Sequence, residues 1–264
     1  MVSLILASAL LIFVYMTGLF LIALARRDNS LADIGWGIGF ILVAALSLVL
    51  EPGWTFRRML VDVLVTAWGL RLAVYVFLRN RKRGEDFRYA KWRREWGRSF
   101  VLRSYLQVFM LQGLILLIIA YPIILVSHSP DRTWTLLDTI GFVVWIVGIF
   151  FETVGDEQLR RFRREPANRG RIITSGLWKT TRHPNYFGEA TMWWGIFLIA
   201  LSAPDGWTAV ISPAVITFML LRVSGVTMLE KKYADNPDFA AYARKTSAFV
   251  PWFPKKPKEG GKRT

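Results

Sequence analysis

Cysteine is absent from the 264 residues. That excludes disulfides, iron–sulfur clusters, thiol nucleophiles and cysteine-held zinc. Histidine is scarce, with only His128 and His183. No glycine-rich dinucleotide fingerprint follows a strand pattern, and no Walker sequence occurs. A Ser-His-Asp triad finds no support, and no internal repeat is visible. Acidic residues number 19 against 34 Lys and Arg, a formal charge of +15.

What is abundant is apolar mass. Hydrophobic residues make up 53% of the chain, and the mean hydropathy is +0.34. A soluble domain seldom carries this much. A bilayer core needs roughly 20 apolar residues of helix to cross it. Seven stretches qualify as candidates: 2–25, 34–50, 59–78, 104–126, 134–154, 187–202 and 207–229. The second and sixth are short. The first is too long for a secretory signal and lacks a small-residue cleavage pattern, so it reads as an anchor. No alternating barrel pattern occurs, so the spans are expected to be α-helices. The expected fold is therefore all-α, a polytopic membrane protein of about seven helices. It forms one domain over 1–254, followed by a disordered basic tail at 255–264 that would rest on anionic headgroups.

The positive charge is unevenly placed. Segments 26–33, 79–103, 155–186 and 230–264 hold 29 of the 34 Lys and Arg. This is the positive-inside pattern. It predicts the N-terminus outside and the C-terminus in the cytoplasm, which an odd number of spans satisfies. The cations thus read as an orientation signal facing the bilayer, and nucleic acid is not an expected partner. His128 and His183 fall on opposite predicted sides, so a metal site is not expected. In segment 79–100 aromatics interleave with charges. It reads as an interfacial helix with Trp92 and Trp96 at headgroup depth.

Ionisable groups inside a membrane domain mark function or tight structural pairs. Asp33, Arg71, Glu152, Asp156, Asn185, Glu189, Arg222 and Glu230 all fall at the predicted cytoplasmic depth, with Gln107 and Gln112 in the inner half of the fourth span. Asp62 and Asp138 lie near outer ends. Arg71 needs a partner because its guanidinium never discharges; Asp33, Asp156 and Glu189 are candidates. The stretch TSGLWKTTRHPNYFGE (174–189) sets Arg182, His183, Asn185 and Tyr186 around Pro184, ahead of a helix. A helix N-terminus with arginines nearby suits an anion. Arg160, Arg161, Arg163, Arg164, Arg169, Arg171 and Lys179 add to it. Either a phosphorylated dinucleotide or lipid headgroups would answer that charge.

Five stretches carry a family resemblance: WGLRL (68–72), GEDFRY (84–89), GDEQLRRF (155–162), RHPNYFGE (182–189) and LEKKYADNP (229–237). With DIGWGIGF (33–40) and FVPWFP (249–254) they cover most of the chain, which resembles the DUF1295 branch of the steroid 5α-reductase-like membrane proteins. RHPNYFGE alone is less specific, since isoprenylcysteine carboxyl methyltransferases and sterol reductases have close versions. The resemblance implies a seven-helix domain in a bacterial inner membrane and NADPH bound from the cytoplasmic side. It also implies reduction of a carbon–carbon double bond in a membrane lipid or steroid.

By the same resemblance, Asp156, Arg163, Asn185 and Glu189 match NADPH contacts. Arg171, Arg182, Tyr186, Arg222, Glu230 and Tyr233 look like further contacts. On the catalytic side the match is incomplete. Gly35 and Trp36 stand where steroid reductases have a Gln-Glu pair, and Trp68 stands nearest their tyrosine. Asp33, Arg71 and Tyr75 are the remaining catalytic candidates, with Asp33 or Tyr75 as proton donor. A substrate without a ketone, such as an unsaturated lipid chain, fits this departure. Two alternatives stay open: an S-adenosylmethionine-dependent lipid or prenyl methyltransferase, and a non-catalytic membrane scaffold.

Overall fold

A computed structural model describes residues 1–81, 84–130 and 133–254. The basic tail 255–264 lies outside the described residues, as do Lys82, Arg83 and Arg132. The protein is all-α. Its helices are α1 (Val2–Arg26), α2 (Leu31–Leu50), α3 (Phe56–Asn80), α4 (Phe87–Trp96), α5 (Phe100–Arg103), α6 (Leu111–Ile119), α7 (Tyr121–His128), α8 (Leu136–Arg164), α9 (Pro184–Ala200), α10 (Ile211–Phe218), α11 (Val226–Lys232) and α12 (Pro237–Lys245). Wider π-helical turns at Ser104–Met110 and Met219–Val223 join α5 to α6 and follow α10.

Among the described residues, six helical runs are long and apolar enough to cross a membrane: Val2–Arg26, Leu31–Leu50, Phe56–Asn80, Phe87–Ile119, Leu136–Arg164 and Gly206–Lys231. This is a multi-pass integral membrane protein. The expected sixth span is α9, whose 17 residues extend only ~26 Å. That is the short end of the roughly 17–25 residues a crossing takes, and α9 is not among these six. The fourth span also differs from expectation. The helix at 87–96 runs on into it, giving a 33-residue stretch that ends at Ile119 rather than near 126. The break follows from Pro122 in the first turn of α7, which lacks a backbone N–H and cannot continue the preceding helix.

Surface character fits lipid. On α1 the buried residues are Leu4, Ser8, Ile12, Met16, Phe20 and Ala23, one stripe at helical spacing. Leu6, Leu10, Phe13 and Val14 on its other faces are exposed. In water such a surface would aggregate; in a bilayer it is the solvent-facing side.

Chain contacts divide the molecule into two compact units. Unit 1 holds residues 1–139 and 196–215; unit 2 holds 140–195 and 216–264. Unit 1 is built on α2 against α3. They meet at Gly37 and Gly69, where a Cβ on Gly69 would sit 2.6 Å from the Gly37 carbonyl oxygen. At one end of this unit Arg57 forms a two-pronged ion pair with Asp138, at 2.7 and 2.8 Å, with both side chains buried. Nearby, Arg58 donates to the carbonyls of Glu51 and Gly53, closing the end of α2.

Unit 2 is built on α8 against α9, and glycines set the distance between them. A Cβ on Gly195 would lie 2.6 Å from Gly141 O, and one on Gly148 would lie 2.7 Å from Gly188 O. One on Gly155 would touch the Pro184 ring at 3.0 Å. Small residues allow backbones to approach where no hydrophobic force drives association. The chain then passes through loop 165–183 to α9. Its last stretch returns beside that loop: Arg182 N donates to Ser247 O, and Trp252 N to Thr180 O.

Candidate functional site

Two polar clusters stand out, one in each unit. In unit 1 the cluster forms around Asp33, in the first turn of α2. Arg88 Nη2 donates to Asp33 Oδ2 at 2.5 Å, and the Tyr89 hydroxyl donates to Oδ1 at 2.7 Å. Both donors come from the first turn of α4, which Asp86 caps by accepting from Arg88 N. The Arg88 side chain also donates to Asp86 at 2.9 Å. Burial pushes the Asp86 carboxyl up, but the hydrogen bond and charge of Arg88, with the Arg79 charge, hold it below the ordinary carboxylate range.

Glu85 takes a two-pronged bond from Arg93 and accepts from Asn29 N. Ser30 Oγ accepts from Asp86 N. Asn29 in turn donates to the buried Ser104 hydroxyl at 3.0 Å. The GEDFRY stretch therefore clamps the start of α2.

This alters the expected roles. Asp33 takes its guanidinium from Arg88, not from Arg71, because residues 85–89 are hydrogen-bonded to the start of α2. Arg71 and Tyr75 sit one turn apart on α3, with the guanidinium carbon 5.5 Å from the ring centre. Sequence reasoning missed Arg88 and Tyr89. Their signal was the GEDFRY motif itself, but 55 and 56 residues separate them from Asp33.

In unit 2 the cluster surrounds the start of α9. Arg182 Nε and Nη2 bond both oxygens of Glu230 at 2.8 and 3.0 Å. Its Nη1 donates to the carbonyls of Ala243 and Thr246 at 3.0 and 2.7 Å. His183, nearly buried, places Nε2 3.2 Å from the same Glu230 oxygen and stacks its ring on Tyr186, 12° from parallel. The Asn185 amide donates to buried Asp156 at 3.2 Å, tying α9 to α8. Trp178 Nε1 donates to Gly155 O, and the Gln158 amide oxygen accepts from Leu177 N. The Tyr242 hydroxyl donates to Trp178 O, and burial pushes that phenol up.

The predicted cofactor residues thus separate into groups. Asp156, Asn185, Arg182, Glu230 and Tyr186 come together. Glu189 lies one turn beyond Asn185 on α9 and is half-buried. Arg163, Arg171 and Arg222 are exposed. Tyr233 follows α11 and tilts against Phe239 at 5.6 Å. Arg182 and Glu230 form a staple: every guanidinium nitrogen of Arg182 is already bonded inside the protein. His183, Tyr242 and Gln158 are the residues the sequence reading passed over here. No group of His and acidic side chains among the described residues is arranged to hold a metal ion.

These features define a polytopic α-helical membrane protein with a polar clamp in each unit. The chain belongs to the DUF1295 family, described as proteins of unknown function, whose model matches residues 19–246. A curated relative is the probable O-methyltransferase ustE of Ustilaginoidea virens, 39% identical over 46 residues. The similarity covers 17% of this chain and 16% of that protein.

Proposed function

We propose that this protein is an NADPH-dependent reductase acting on a carbon–carbon double bond of a membrane-dissolved lipid or steroid. The observation that carries the reading is the uncompensated charge of unit 2. Arg160 and Arg161 share Glu157. Arg163, Arg164, Arg169, Arg171 and Lys179 are exposed, with no carboxylate paired to them among the described residues. A phosphate-rich cofactor complements that charge. S-adenosylmethionine carries no phosphate.

The donor set suits NADPH in part. Arg163 and Arg171 would meet its phosphates, and Asn185, held by Asp156, would offer an amide. Tyr186, Glu189, Arg222 and Tyr233 belong to the same proposal. Arg182 and Glu230 would act through the loop they fix rather than by touching the ligand. When bound, the cofactor supplies a hydride. For unit 1 the proposal gives Arg71 the task of stabilising developing negative charge, and Tyr75, or Asp33 when protonated, that of supplying a proton. It places seven crossings in a bacterial inner membrane, α9 included, with the N-terminus outside and the cofactor side facing the cytoplasm.

The fungal relative favours a second reading, methyl transfer from S-adenosylmethionine to a lipid or prenyl group. Titration of the purified protein in nanodiscs separates the two. Quenching of its 12 tryptophans or a thermal shift by NADPH alone supports reduction. A response to S-adenosylmethionine alone replaces it with methyl transfer, and a response to neither leaves a non-catalytic scaffold. If NADPH binds, Asp33→Asn should retain binding and lose turnover; undiminished turnover removes Asp33 from the proton-donor role.

A further inference from the structure

The closing stretch of unit 2 carries large apolar side chains that no spanning helix explains. Residues 249–254 are non-helical, and among them Val250, Trp252 and Phe253 are 57%, 69% and 84% exposed. The backbone of this stretch, by contrast, is fixed. Trp252 N donates to Thr180 O at 3.0 Å, and the Thr181 hydroxyl donates to Phe249 O at 2.7 Å. Just ahead of it, Ser247 O accepts from Arg182 N at 2.9 Å. The stretch is stitched to the end of loop 165–183 while its apolar side chains face out of the protein.

An aromatic relay gives its depth. Phe249 meets Phe187, in the first turn of α9, with ring centres 5.9 Å apart. Phe187 meets Phe151 of α8 at 5.1 Å, and Phe151 meets the exposed Phe150 at 5.8 Å. Both belong to the apolar part of the α8 run, which is long enough to cross a membrane, and charged residues follow from Asp156 onward. Phe249 therefore stands where the apolar core of the bilayer gives way to its polar boundary. Aromatic rings favour that boundary. Irregular backbone is refused by hydrocarbon when its N–H groups are unpaired. Here Pro251 and Pro254 have no N–H, and that of Trp252 is already bonded. Lys179, Arg244 and Lys245 are exposed beside the stitched segments. Their sign suits anionic headgroups.

We propose that Val250, Trp252 and Phe253 form an interfacial anchor that sinks into the phospholipid surface and, through the stitching to Thr180–Arg182, holds that end of loop 165–183 at the membrane. The loop leading to Asn185 is thereby kept at headgroup height. The anchor lies wholly in unit 2 and serves whichever cofactor the protein uses.

The chain has no cysteine, so Phe253→Cys takes a single nitroxide label. The full chain is placed one copy per nanodisc in phosphatidylcholine with phosphatidylglycerol. The same label at Asp235→Cys, an exposed acidic position outside the anchor, is the reference. Oxygen concentrates in lipid and a nickel chelate in water. The ratio of oxygen to nickel accessibility should be severalfold higher at 253 than at 235. Equal ratios overturn the proposal. They are also the result if the patch awaits a protein partner or a second copy, since the disc holds neither. A label at Lys179→Cys then reads the loop. Trp252→Glu combined with Phe253→Glu keeps the backbone bond to Thr180 but expels the side chains from lipid. Nickel accessibility at 179 should rise severalfold in that variant. An unchanged value at 179 shows that the loop is not held from the membrane, and equally overturns the proposal.

Discussion

Arg182→Ala should cost about 3 kcal/mol of stability, because the substitution removes more than one bond. In the native protein the guanidinium satisfies both oxygens of Glu230 and the carbonyls of Ala243 and Thr246. Its side chain is 11% exposed and that of Glu230 is 25% exposed. Breaking a buried ion pair from one side typically costs 3–5 kcal/mol, about the low end here since Glu230 keeps some solvent and His183. Arg182→Lys should recover only part, since an ammonium cannot span the carboxylate fork and the two carbonyls together. Glu230→Gln should cost about 2 kcal/mol, and the double variant should show a coupling of about 2 kcal/mol. The assay is reversible unfolding in mixed micelles, with all five proteins compared at one pH. Additive single effects with no coupling, or a loss under about 0.5 kcal/mol in Arg182→Ala, would refute the staple. Such a result would return both residues to direct ligand contact.

Tyr89→Phe removes one hydrogen bond to the Asp33 carboxylate and should cost about 1.5–3 kcal/mol, read by the same unfolding assay. Asp86→Asn should keep the α4 cap, since Asn caps as well as Asp, but weaken the Arg88 ion pair by about 1 kcal/mol at neutral pH. The Asp86 carboxyl is held below its ordinary range when folded. Its contribution is therefore full above the ordinary carboxylate range and falls away as pH drops through the folded-state value. The gap between wild type and Asp86→Asn should close on acidification; a gap that widens contradicts the assignment. Gly188→Val would press a side chain against the backbone of α8, and the thermal midpoint in nanodiscs should fall by more than for Gly18→Val, where a Cβ meets nothing within 4 Å.

The membrane class and most of the spans were legible because apolar length is a one-dimensional signal. So was the break before α7, had Pro122 been weighed against the length of the apolar run. Pairing was not legible in the same way. Arg182 and Glu230 looked like ligand contacts because both are charged and near a helix start. Nothing local says that residues 48 apart in sequence neutralise each other. Asp33 likewise looked like a proton donor or a partner for Arg71, and the fold instead brings Arg88 and Tyr89 to it. Charge marks where polar groups gather, while folding decides which of them remain available. Asp156 and Asn185 were expected only as two contacts of one cofactor, and the fold joins them directly by a hydrogen bond.

The contact glycines of α8 recur every seventh residue at 141, 148 and 155, and those of α9 at 188 and 195. A sustained seven-residue period makes two helices wind left-handedly around each other. It also fixes their register, because sliding either helix by one turn would drive side chains into the opposing backbone. The pair therefore cannot act as a piston. Asn185 on α9 therefore stays locked to Asp156 on α8, and access beside them can change only by movement of loop 165–183 over a pair of rods that holds together as one piece.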